Sequence, residues 1–367
     1  MPEQNAFTIA YFVTPHGFGH SARASAVMEA LNRRFTNLKF MVFTTAPAWF
    51  FTDSGLNIEY HQLFHDVGLI QSSPFANDLS VTIEKLDQLL PFNSQMTAQT
   101  MQTLKNAGVS LILCDISSFG LLLARQMGIP SVLIENFTWD WIYESYIQED
   151  PAFSEINLHL DALYALADIH FQAEPVCQPL ANSINIKDPI ARSFKHSRAE
   201  TRELLGIPAE QHMTLLSLGG IETSFGNLEK LYQFGHTVFV VPGGADTLQR
   251  DRNILLLPHH SHYYNPDLIR AADLVVGKAG YSTLAEVMMA GVPYAFISRG
   301  DFRESDVMVP YVKKVLPALE IIEHEYISGH WFERLPECFA LTANTPHPIN
   351  GADTIAGHLV DLILQLR

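Results

Sequence analysis

Two glycine turns hold the side chains best placed to do chemistry. The first, residues 14–23 (TPHGFGHSAR), sets His16 and His20 around Gly17 and Gly19, between an apolar run and a helix-like segment. Glycine lets a chain leave a strand sharply and brings its backbone close to a ligand. Histidine is the commonest general base near neutral pH. A carboxylate behind the ring would orient such a base. Asp115 ends the apolar run 110–114, which predicts it on the same strand-end edge as His20. Plainer roles stay open: Asp115 as the N-cap of a helix over 118–128, and His20 as a helix-start residue bonded to backbone. His16, held in the loop by Pro15, is a second candidate. Trp139, Trp141 and Tyr143 in residues 135–146 could stack on a sugar face or an apolar tail, though an interdomain helix would look the same.

The second turn, residues 277–286 (GKAGYSTLAE), follows a strand and opens a helix that Gly291 and Pro293 stop. Gly277 and Gly280 permit the turn, and Tyr281, Ser282 and Thr283 begin the helix. A helix N-terminus offers N–H groups and a positive dipole end to an anion. Lys278 adds a charge there, and Glu286, one turn further on, is an acceptor suited to ribose hydroxyls. A glycine turn by itself is more often a plain connection capped by Ser or Thr. The spacing is neither a Walker A loop nor the Gly-x-Gly-x-x-Gly dinucleotide fingerprint.

These turns need elements to hold them. With 367 residues, 47% hydrophobic and 17% charged, the chain can fill a core, and at ~100–200 residues per domain two domains are expected. Short apolar runs at 7–13, 39–43, 110–114, 131–135 and 168–172 read as buried parallel strands. They alternate with helices over 21–35, 78–107, 118–128 and 152–166. Periodicity lapses at 182–196, which reads as a linker, and the pattern restarts with strands at 213–220, 236–244, 253–258, 272–280 and 293–300. Helices are expected at 265–271, 281–290 and 303–315, and an amphipathic one at 351–366. The fold class is therefore α/β, with two tandem Rossmann-like domains whose strand-end crevices face across a cleft. The expected division is 1–190, 191–350, and a terminal helix 351–367 that packs back on the first domain.

Charge and cysteine content exclude some classes. A net charge of −16, from 23 basic and 39 acidic side chains, disfavours nucleic acid. Cys114, Cys177 and Cys338 form no close pair, which argues against a disulfide framework and a Cys-ligated zinc site. No secretory signal or apolar run of spanning length is read, so a cytoplasmic protein is expected, peripheral to a membrane at most.

Residues 266–299 (PDLIRAADLVVGKAGYSTLAEVMMAGVPYAFISR) resemble the donor-binding half of GT-B glycosyltransferases. The similarity is to the branch that holds the peptidoglycan N-acetylglucosaminyltransferase and the glycosyltransferase-like domain of some sugar kinases. The resemblance implies that the turn at Gly280, Ser282 and Thr283 binds a diphosphate and that Glu286 binds ribose, with Lys278 and Tyr281 expected beside them in the donor site. It extends to residues 217–220 (SLGG), making Gly219 and Gly220 part of the first glycine loop of the donor domain. It places the base near His262, within 258–264, and the donor sugar near Glu304, within 299–306. There the chain has Glu304, Ser305 and Asp306 instead of the peptidoglycan enzyme's glutamines, and carboxylates favour a glucose or galactose diol over an N-acetyl sugar. A charged helix start with Asp301 as N-cap is the alternative.

The resemblance further makes the first turn an acceptor loop formed by His16, Gly17 and Gly19, whose His20 contributes to catalysis or acceptor binding; with Asp115, placed by its strand end, it forms the expected catalytic pair. It implies hexosyl transfer from a UDP-sugar to a hydroxyl acceptor, a lipid-linked glycan being one candidate, with inversion and in glycan synthesis. No cofactor and no metal are required, and no Asp-x-Asp motif stands in a suitable place. A UDP-sugar 2-epimerase and a non-catalytic nucleotide-sugar-binding protein remain the alternatives.

Overall fold

The structure, a computed structural model, describes residues 6–52, 54–71, 76–217 and 228–367. The chain divides into two compact units, Met1–Ile190 with Asn350–Arg367, and Ala191–Ile349.

The first unit is built on seven strands: β1 (Phe7–Val13), β2 (Leu38–Thr44), β3 (Ile58–Gln62), β4 (Val109–Asp115), β5 (Ser131–Glu135), β6 (Ile169–Ala173) and β7 (Ile184–Ile186). Their order is β3-β2-β1-β4-β5-β6-β7, and every pairing is parallel. β1 is buried along its whole length, which explains why it reads as a continuous apolar run and not an alternating one. The order reverses between β1 and β4, so the loops leaving them diverge and open a crevice at the carboxyl edge. Val13 is paired with Asp115 there.

The second unit repeats the plan with β8 (His212–Ser217), β9 (Thr237–Pro242), β10 (Gln249–Asp251), β11 (Ile254–Leu257), β12 (Leu274–Lys278), β13 (Tyr294–Ile297) and β14 (Ala318–Ile321). The order is β10-β11-β9-β8-β12-β13-β14, parallel except for the β10–β11 edge. Its reversal lies between β8 and β12, where Gly277 pairs with Ser217. A Cβ on Gly277 would stand 2.3 Å from the Ser217 carbonyl oxygen, so only glycine lets these two strands meet.

Several expectations need correction. The predicted helix 78–107 is two helices, Leu79–Leu89 and Ser94–Asn106. Pro91, which has no N–H to donate, stands between them, and the Asn93 side chain caps the second by accepting from Gln95 and Met96 N–H. The expected linker 182–196 contains β7, which extends the first sheet, and the unit boundary falls after Ile190. β3 was not expected, because its half-exposed residues lack a continuous apolar run. The aromatic loop is a helix, Trp139–Glu144, with Trp139, Trp141 and Tyr143 buried. The terminal helix Gly351–Leu366 packs along helix Phe18–Arg34 within the first unit, and Arg33 pairs with Asp353 at 2.9 Å.

Candidate active site

In the first unit the glycine turn carries the chain from β1 into helix Phe18–Arg34, which starts three residues before the expected Ser21. Gly17 is its N-cap at φ +74°, a conformation that favours glycine. Gly19 and His20 therefore both lie in the first helical turn, and His20 is buried.

The His20 ring Nδ1 lies 3.0 Å from Asp115 Oδ1. Asp115 is fully buried and makes no cap bond. Ser117 is the N-cap of helix Ser118–Met127, so the N-cap alternative for Asp115 is set aside. Arg23, three residues beyond His20 on the same helix face, donates from Nε and Nη2 to the two Asp115 oxygens, each at 2.7 Å. Its Nη1 donates to Asn136 Oδ1 at 2.7 Å. Burial would push the Asp115 carboxyl up, but the Arg23 charge and the bonds from His20 and Arg23 outweigh it and hold the group below the ordinary carboxylate range. His20 is thus backed by a carboxylate held toward its ionised form.

The rest of this edge is aromatic. The His16 ring meets Trp139 edge to face at 5.0 Å, and His20 lies 5.9 Å from Phe137 and 6.4 Å from Trp139 by ring centroid. Gly68 closes on His16, whose ring atoms would be 2.8 Å from a Cβ there. Trp139 Nε1 donates to Asp66 Oδ2 at 3.1 Å. Burial pushes the Asp66 carboxyl up to about 7 despite the bonds it accepts. The neighbouring His65 ring bonds the Phe43 carbonyl oxygen and the Ser117 hydroxyl, and burial holds it down at about 4, so it is neutral at pH 7. Sequence reasoning missed Arg23, Asn136 and Asp66. The i, i+3 spacing of His20 and Arg23 is the one signal that could have shown the first.

In the second unit β12 ends at Lys278, and helix Tyr281–Ala290 starts after Gly280, its N-cap, with no side-chain cap bond. Neither Ser282 nor Thr283 stands at the cap position, and the first N–H groups of any helix have no carbonyl of their own helix to bond. Gly291, at φ +68°, closes the helix in the left-handed conformation. Lys278 is largely buried. Burial, and then the Arg299 charge, lower its ammonium group to about 7 against the pull of Glu304. Arg299 leaves the end of β13 and lies over the Phe302 ring at 4.1 Å. Glu304 is the first residue of helix Glu304–Val315, whose N-cap is Arg303 and not Asp301.

Glu286 is 1% exposed and already engaged. Arg192 Nε donates to its Oε1 at 2.8 Å and Asn265 Nδ2 to its Oε2 at 3.3 Å. Arg192 also lies over the Tyr264 ring at 5.3 Å. Sequence reasoning gave no signal for Arg192, which sits in the stretch read as a linker. His262 is exposed and packs on Tyr263, ring centroids 4.1 Å apart. Gly219 and Gly220 lie outside the described residues. Among the described residues no group of three or more His, Cys, Asp or Glu side chains could hold a metal ion, and no helix is long and apolar enough to cross a membrane.

The fold is of the GT-B type. The glycotransferase of kitacinnamycin superposes with a TM-score of 0.64 at 15% identity over 99% of this chain and all of that one. Acinetobacter baumannii MurG gives 0.53 at 18% identity, covering 98% and 99%. A complex of Phytolacca americana UGT2 with UDP-2fluoro-glucose and pterostilbene gives 0.59 at 15%, covering 97% and 99%. By sequence the chain is 26% identical over 365 residues, 96% of its length, to an L-arabinokinase of Arabidopsis thaliana. It spans about a third, 34%, of that relative. No family model matches the chain.

Proposed function

We propose that this GT-B chain is a glycosyltransferase that moves a hexosyl group from a UDP-sugar to a hydroxyl acceptor with inversion. The observation that carries the reading is the buried His20–Asp115 pair at the strand-order reversal of the first sheet, where a proton acceptor is oriented by a carboxylate held ionised. His20 takes the acceptor proton at Nε2 as the hydroxyl oxygen bonds the anomeric carbon. The bond from that carbon to the diphosphate oxygen breaks, and the diphosphate leaves with the electron pair. The Ala191–Ile349 unit holds the donor. The uncapped N-terminus of helix Tyr281–Ala290, with Lys278 and Arg299 near it, supplies positive potential for the diphosphate, and Glu286 with Asn265 and Arg192 forms a polar cluster suited to a ribose. A solved GT-B neighbour carrying UDP-2fluoro-glucose supports a nucleotide sugar as donor.

A second reading is favoured by the relative that spans the chain, a kinase of nearly three times its length. On this reading the chain is a nucleotide-sugar-binding module without turnover. One series of measurements separates the two. A thermal-shift screen of nucleoside diphosphates and their sugars identifies the donor, since a ligand of the native state raises the melting point. The donor is then incubated with an acceptor panel and, separately, alone. Transfer that falls ~10²–10⁴-fold in His20→Ala, with donor affinity intact, is the expected result. Donor binding without transfer or hydrolysis in the wild type refutes the enzyme reading, and conversion of UDP-N-acetylglucosamine alone to its epimer identifies an epimerase.

A further inference from the structure

We propose that Tyr164 is a positioning residue: its hydroxyl holds Ile116 in a left-handed backbone conformation, and that conformation aims Asp115 at Arg23 and His20. The proposal rests on the reading of His20 and Asp115 as the catalytic pair.

Ile116 follows Asp115 directly at the end of β4 and is fully buried. Its φ is +58°. Among the described non-glycine residues Asn37 and Arg252 also have positive φ, but both are exposed and neither is β-branched. A β-branched side chain in this region crowds its own backbone, and the conformation persists only where the surroundings enforce it.

Contacts on both sides enforce it here. The Thr14 N–H donates to the Asp115 carbonyl oxygen at 3.2 Å, and Ile116 forms an antiparallel bridge with Val13, so the chain turns back against β1 as soon as Asp115 is passed. Tyr164, 7% exposed, ends helix Ala152–Tyr164, and its hydroxyl donates to the Ile116 carbonyl oxygen at 2.8 Å. The same hydroxyl is bonded by the backbone N–H of Trp139, whose ring borders His16 and His20. One phenol thus ties the turn after Asp115 to the aromatic edge.

The turn has a directional purpose. The Asp115 side chain faces helix Phe18–Arg34, where it meets Arg23 Nε at 2.7 Å and His20 Nδ1 at 3.0 Å. The preceding residue, Cys114, points to the opposite face of the sheet, where its Sγ would stand 2.5 Å from a Cβ on Gly120 of helix Ser118–Met127. The chain must cross from one face to the other within Ile116 and Ser117. A negative φ at Ile116 would rotate the Asp115–Ile116 peptide and swing the carboxylate off the Arg23 fork.

The test reads the Arg23 Nε–H, which donates to Asp115 Oδ2, by nitrogen-15 NMR of the full-length protein without ligand, the signal being assigned by its loss in Arg23→Lys. Its exchange with water reports how often the fork opens. Tyr164→Phe removes the hydroxyl alone and should speed that exchange by about tenfold, the loss of one buried hydrogen bond. Glycine adopts the left-handed conformation without help, so Tyr164→Phe added to Ile116→Gly should change the exchange by no more than about twofold relative to Ile116→Gly. If Ile116→Gly does not fold, Tyr143→Phe decides. It deletes another buried hydroxyl bonded to a backbone carbonyl at 2.8 Å, that of Gly68, and should leave the Arg23 exchange within about twofold of wild type. An unchanged rate in Tyr164→Phe, the same acceleration in the Ile116→Gly background, or an equal acceleration in Tyr143→Phe each overturns the proposal. The spectrum requires neither donor nor acceptor, so a failed transfer assay, which overturns the reading of the pair, is distinct from a failed test of Tyr164.

Discussion

On the proposed donor site, Lys278 should link donor affinity to pH. Its ammonium group is lowered to about 7 first by burial and then by the Arg299 charge. A diphosphate at the helix N-terminus would reverse both effects, because the anion favours the charged amine. The bound lysine then carries its proton through the neutral range, while the free protein loses it above pH 7. Affinity should scale with the protonated fraction of the free protein, about one half at pH 7 and about 0.03 at pH 8.5. That is a weakening of ~16-fold, or ~1.6 kcal/mol. UDP-glucose is the suitable probe, because its phosphates do not titrate in this window. Calorimetric titration at pH 7.0, 7.75 and 8.5, in two buffers of different ionisation enthalpy, reads both the affinity and the proton taken up. Lys278→Met should bind with the weak, high-pH affinity throughout and take up no proton. A wild-type affinity that is flat from pH 7 to 8.5, or a slope that survives in Lys278→Met, refutes the reasoning.

Three further outcomes follow from single contacts. Glu286→Ala leaves the Arg192 guanidinium, whose side chain is 10% exposed, without its carboxylate, and should lower unfolding stability by ~3–5 kcal/mol in urea titration; a loss below ~1 kcal/mol would mean that the pair contributes little. Asp66 has a folded-state pKa of about 7, raised by burial from 3.8, so the stability it contributes is full below pH ~4 and is lost as pH rises through about 7. The stability of wild type relative to Asp66→Asn should therefore fall by ~4 kcal/mol between pH 4 and pH 8, and a constant difference would show that Asp66 ionises freely. Gly277→Ala forces a Cβ to 2.3 Å from the Ser217 carbonyl oxygen, so it should break the β8–β12 pairing and lower stability by ~3 kcal/mol or more, read as a drop in the unfolding midpoint.

The alternating grammar of apolar runs and helical segments determined the α/β class and two Rossmann-like sheets. Central parallel strands are buried on both faces, and only a continuous apolar run can occupy them. The same logic marked both glycine turns, because a strand that ends at a sharp helix entry needs residues without side-chain hindrance. Edge strands β3 and β7 stayed hidden, since half-exposed residues carry no such run. Pairing of charges was beyond the sequence. Asp115 lies 95 residues from His20 and 92 from Arg23, and Arg192 lies 94 from Glu286. Which buried acid meets which base depends on strand order and register, which local periodicity does not encode. The sequence therefore named His20 and Asp115 as candidates and left Arg23 unread. Only the tertiary structure brought β4 beside β1, closing the fork of Arg23 on Asp115 against the His20 ring, because a buried carboxylate must find its cation wherever the sheet places it.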